Sequence, residues 1–120
     1  MLRKVDIVFG VLFLLGALGH TIGTFVLLPS MSGLWVWSLG AAIAAWVLGS
    51  LNLLRASRPS DKSVALIAVI GTAAWVFIAL AFGRSIGNVA DPRALFHAGI
   101  GTVLVLFGIA TLQRSNALVK

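Results

Sequence analysis

Four uninterrupted apolar runs leave this chain little freedom in how it can fold. They cover residues 7–28, 34–54, 64–83 and 94–112, and none contains an aspartate, glutamate, lysine or arginine. Each is close to the roughly 20 residues a helix needs to cross about 30 Å of hydrocarbon at about 1.5 Å per residue. Inside a bilayer the backbone must satisfy its own hydrogen bonds, which restricts spanning structures to helices and closed barrels. The runs show no strict alternation, so they read as helices. The expected fold is all-α: an integral membrane four-helix bundle, antiparallel and up-down, forming one transmembrane domain.

The composition points the same way. Of the 120 residues 60% are hydrophobic and 10% charged, whereas a soluble domain carries about 25% charged residues. So few charges cannot coat a water-facing surface. The net charge of +6 does not signal nucleic acid. The basic residues stand at the ends of apolar runs, where membrane proteins place them. There is no cysteine, which removes disulfides, zinc–thiolate sites and iron–sulfur clusters. The first run follows Arg3 and Lys4, as in a secretory signal. It is too long for a signal core and lacks a small-x-small cleavage site, so it reads as the first span.

The breaks are punctuated accordingly. Residues 29–33 form a Pro/Ser/Gly turn, and residues 55–62 a polar hairpin in which Ser60 or Asp61 can cap the third helix. Before the fourth run, Asp91 is placed to cap the helix and Pro92 to occupy its first position. If the N-terminus is cytoplasmic, that side holds Arg3, Lys4, Arg55, Arg58, Lys62, Arg114 and Lys120, against Arg84 and Arg93 on the other. This bias predicts both termini in the cytoplasm and a multi-pass protein of the cell (inner) membrane, and argues against dual topology. Trp35 and Trp37 then begin the second span at the outer interface. Asp6 is expected at the cytoplasmic edge, solvated or among lipid headgroups near Arg3 and Lys4. Ile-Gly-Thr occurs three times, but at unequal spacings with unrelated flanks, so no internal repeat is inferred.

Stripes at three- and four-residue steps predict which faces pack. They are Phe13, Gly16, His20 and Gly23 in the first span, and Ser38, Ala42, Ala45, Gly49 and Asn52 in the second. The third carries Ala65, Ala68, Thr72, Trp75 and Ala79, and the fourth His97, Gly101, Leu104, Gly108 and Thr111. Small residues let membrane helices approach closely, which they need because lipid supplies no hydrophobic drive to associate. Gly19 and Gly23 form a GxxxG pair, a candidate face for a homo-oligomer. Asn52 is expected to hydrogen-bond across helices.

His20 and His97 are the ionisable residues well inside the spans, and intramembrane ionisable residues point to function. Both fall on the small-residue stripes, in the outer half under the inferred orientation. His20 lies roughly 12 Å from its span end and His97 roughly 5 Å, a mismatch that counts against direct pairing. A bis-histidine site for a b-type haem is one reading, with Arg84 and Arg93 facing the propionates. A quinone or another apolar ligand held by an imidazole is a second, with Trp46 and Trp75, well inside their spans, as walls of the pocket. Histidines that only pack helices are a third. Beyond a haem iron held by His20 and His97, no metal site is expected, because no carboxylate or thiolate accompanies them. No carboxylate pair, Ser-His-Asp set or glycine loop follows from the sequence, so catalysis is not expected without a bound cofactor.

Two families of similar size are set aside on their residues. The chain contains no glutamate, which small multidrug-resistance transporters carry in their first helix. It also lacks the asparagine and phenylalanine motifs of dual-topology fluoride channels. Gly19-His20-Thr21, Pro29, Trp35 and a histidine early in the fourth span resemble small bacterial four-span proteins of the loosely DoxX-like type. That resemblance implies a four-helix bundle, in some cases a redox or quinone-linked setting, and no established catalytic residue. Three roles stand open: a ligand-binding redox protein, an oligomeric transporter or channel, and an accessory subunit of a larger membrane complex.

Overall fold

The computed structural model describes residues 2–117. They form four helices: α1 (Leu2–Leu27), α2 (Gly33–Ser57), α3 (Lys62–Ser85) and α4 (Pro92–Ala117). Each coincides closely with one apolar run; α2, α3 and α4 extend beyond theirs at both ends, and α1 starts before its run and stops at Leu27. Every one is long and apolar enough to cross a membrane.

Polar side chains start the later helices as their positions demand. The Ser32 hydroxyl accepts from the Trp35 backbone N–H at 3.1 Å, opening α2. The Asp61 carboxylate accepts from Val64 N–H at 3.0 Å, opening α3. Asp91 does the same for α4, accepting from Arg93 N–H at 2.9 Å. These side chains satisfy N–H groups that a helix start leaves without partners. After α3 the chain turns through Gly87 at φ 70°, a left-handed conformation that glycine adopts without strain.

α1 packs chiefly on α2 and α3 on α4, and the α1–α4 and α2–α3 contacts close the bundle. Phe13, Ala17, Ala45, Trp75, Ile100 and Leu104 form its apolar centre. Glycines admit side chains from neighbouring helices. Gly49 receives Leu14, Gly101 receives Val76, Gly108 receives Val69, and Gly16 receives Phe96 and His97. The stripe expected in α3 is buried in full, as is that of α2 from Ala42 to Asn52.

In α1 the buried face differs from the expected one. It runs through Asp6, Gly10, Phe13, Ala17 and Thr24. Gly19 and Gly23 seat no neighbouring helix within the chain. A side chain at Gly19 would meet open space, and one at Gly23 would only graze Leu27 of its own helix. Gly19 is two residues from Ala17, and two residues carry it to roughly the opposite side of the helix at about 3.6 residues per turn.

Along the apolar runs the exterior is apolar all round. Between 17% and 28% of each candidate span is buried within the chain, and large side chains such as Phe77, Ile67 and Leu106 face outward. Helices apolar on every side need a surrounding as apolar as themselves, and a bilayer supplies it. The architecture is that of a multi-pass membrane protein.

Candidate functional site

Two polar clusters interrupt the apolar interior, one at each end of the bundle. The first holds a buried ion pair. Arg55 is 0% exposed and donates from NH2 to Asp6 Oδ1 at 2.6 Å and from NH1 to Asp6 Oδ2 at 3.0 Å. NH1 also donates to Thr111 Oγ1 at 3.2 Å, and Nε to Asn52 Oδ1 at 3.4 Å. The Asn52 amide in turn donates to Thr72 Oγ1 at 2.8 Å and to the Leu48 carbonyl at 3.0 Å. The network therefore joins all four helices, and Asn52 bridges α2 to α3 as expected.

Asp6 is not solvated, and Arg55 is not part of a polar hairpin. The reason is register. The seam of α2 continues from Asn52 by a three-residue step to Arg55, and that of α1 runs back from Phe13 through Gly10 to Asp6. Both residues lie outside the apolar runs, and both stay in phase with the packed face. The signal was in the sequence, since the seam spacing needed only to be carried past the run ends. A charge at such a position persists only if paired and hydrogen-bonded, and the bidentate arrangement meets both demands.

The second cluster contains the histidines, which play different parts. The His20 Nε2–H donates to the Ser38 backbone carbonyl of α2 at 3.1 Å, and this fixes the tautomer. Thr24 Oγ1 donates to the His20 carbonyl at 2.9 Å and accepts from the Ser38 hydroxyl at 2.7 Å. One turn away, Trp46 Nε1–H donates to Thr21 Oγ1 at 3.1 Å. His20 thus belongs to a polar seam tying α1 to α2.

His97 sits among aromatic edges instead. Its ring lies 5.6 Å from Trp75, 5.7 Å from Phe96 and 5.9 Å from Phe13, all in tilted or T-shaped contact. Gly16 of α1 leaves the room, since a Cβ there would stand 2.8 Å from His97 Cε1. His97 Nδ1 and Trp75 Nε1 are both buried and have no hydrogen-bond partner among the described residues. Trp75 itself is 7% exposed. Buried polar atoms are nearly always paired, so two orphans on facing helices set this place apart from the rest of the interior.

The arginines of the same end do not gather around these rings. Arg93 is tied to Asp91 by contacts of 3.0 and 2.9 Å and lies over the Phe82 ring at 5.4 Å. The side-chain hydrogen bond from Arg93 holds the Asp91 carboxyl down at about 2, with the backbone N–H groups of Arg93 and Ala94 adding to it against a desolvation opposing them. Arg84 is exposed. The donor set does not fit a bis-histidine haem site: the His20 Nε2 an iron would need is engaged by Ser38, and Arg93 by Asp91. What the structure does bring together, of the residues expected, is His97 with Trp75.

No protein-family model, curated protein or solved structure matches the chain.

Proposed function

We propose that the chain is an up-down antiparallel protein of the cell membrane, termini cytoplasmic, that binds an apolar molecule carrying a hydrogen-bonding oxygen at the ring nitrogens of His97 and Trp75. The observation that carries this reading is the pair of unpartnered buried ring nitrogens on α3 and α4. Trp75 Nε1–H can only donate, and His97 Nδ1 donates in one tautomer. A carbonyl oxygen accepts from either, and the aromatic surroundings suit a flat apolar ring. A quinone headgroup is the redox-active member of that class. His97 is half-buried and lies against Gly16 of α1. Orientation rests on six described basic residues, Arg3, Lys4, Arg55, Arg58, Lys62 and Arg114, at the Asp6–Arg55 end against Arg84 and Arg93 at the other.

The test uses full-length protein with Trp35, Trp37 and Trp46 changed to Phe, leaving Trp75 as the reporter. Titration with a short-chain benzoquinone in detergent should quench its fluorescence saturably. His97→Phe should weaken that binding at least tenfold. Quenching that rises linearly without saturation, and is unchanged by His97→Phe, would show simple partitioning and defeat the reading.

A further inference from the structure

Beside the Asp6–Arg55 pair, between α1 and α4, lies a cavity of about 470 Å³, within the range of small-ligand sites. Its lining divides by chemistry. Arg3, Arg55, Arg114 and Asp6 supply the charged part, and Val103, Leu106 and Phe107 of α4 an apolar wall. Among the described lining residues, three cations and one anion give a net charge of +2. Arg55 and Asp6 neutralise each other in the floor, and the exposed Arg3 and Arg114 have no carboxylate partner among the described residues. Two guanidiniums without a carboxylate partner among the described residues, above an apolar wall at the end of membrane-crossing helices, match a molecule with an anionic head and a hydrocarbon tail.

We propose that this cavity binds an anionic phospholipid, its phosphate held by Arg3 and Arg114 and an acyl chain lying along Val103, Leu106 and Phe107. Guanidinium groups bind phosphate oxygens in a bidentate manner, and basic pockets between membrane helices on the cytoplasmic side recognise acidic headgroups. The Asp6 carboxylate does not repel the phosphate strongly because both its oxygens accept from Arg55. Arg58 and Lys4, both exposed at the same end, add to the field that draws an acidic lipid in. This site is separate from the His97–Trp75 cluster and does not depend on a ligand there.

The experiment is native mass spectrometry of the full chain from neutral detergent, with added phosphatidylglycerol, phosphatidylcholine or inorganic phosphate. Phosphatidylglycerol should be retained at one site at least tenfold more than phosphatidylcholine. The Arg3→Gln/Arg114→Gln variant, altering only exposed side chains, should abolish that preference. Ala110→Trp keeps every charge but fills the cavity, and should displace the lipid. Equal retention of the two lipids would overturn the proposal. So would a filled cavity that still holds phosphatidylglycerol, because the arginines would then act as a diffuse surface field. Binding of inorganic phosphate alone, in competition with the lipid, would reassign the site to a soluble anion and overturn the lipid as its occupant.

Discussion

Arg55 and Asp6, near the end of α2 and the start of α1, meet in a two-pronged ion pair with neither residue exposed. Removing one partner strands the other charge in a nearly dry setting. Asp6→Ala should therefore lower stability by about 3–5 kcal/mol, the usual range for a broken buried pair. The double variant Asp6→Leu/Arg55→Met should recover most of the loss, since an apolar pair of similar size removes both desolvation demands. Thermal unfolding in one detergent, read by circular dichroism, checks both variants. An Asp6→Ala protein as stable as the parent would mean the pair is open to water.

Asn52 is the relay of the same network and should show a smaller effect. Asn52→Leu leaves Arg55 Nε and the Thr72 hydroxyl each without a partner. Interhelical hydrogen bonds in membranes average about 0.6 kcal/mol and reach about 1.7. A loss of about 1–2 kcal/mol is expected for Asn52→Leu and less than 1 for Thr72→Val. If Thr72→Val proved the costlier of the two, the amide would not be the hub.

How much of this was legible before the structure follows from where each residue stands relative to lipid. The spans and the α3 stripe could be read because hydrocarbon tolerates one pattern only. Asn52 could be read because a lone amide on a small-residue seam has few other uses. Arg55 was misread because an arginine next to a loop counts as a topology signal, and that count ignores helical phase. The His20 bond to the Ser38 carbonyl was illegible for another reason. A backbone acceptor has no residue type to announce it, and its availability depends on how α1 and α2 cross. The orphaned nitrogens of His97 and Trp75 were equally hidden, because absence of a partner is a property of packing.

The Asp91 carboxyl, held at about 2 by Arg93 against an ordinary value of 3.8, gives a pH prediction with a defined sign. A carboxylate whose value is depressed on folding contributes stability above its unfolded value and loses it as pH falls through the folded one. Protection of the α4 N-terminus in hydrogen exchange should be flat from pH 7 to about 4.5, then fall progressively toward pH 2. Asp91→Asn should remove that dependence while keeping much of the cap, since asparagine also accepts from helix N–H groups. A decline centred near pH 6 would assign the transition to another group.

Glycines on opposite faces should respond in opposite senses. Gly101 faces α3, where an added Cβ would come within 2.7 Å of Val76 Cγ2, and Gly19 faces open space. Gly101→Val overpacks the α3–α4 seam and should cost about 1–3 kcal/mol. Gly19→Ala meets nothing within the chain and replaces a poor helix former by the best one, a gain of up to about 1 kcal/mol. Unfolding measurements on both, with sedimentation in detergent to read the subunit count, separate intramolecular packing from assembly. The single chain accounts for Gly19 fully if the alanine variant is at least as stable and unchanged in mass. A Gly19→Ala protein that loses a dimer, or falls as far as Gly101→Val, would mean a second helix packs against Gly19 from outside.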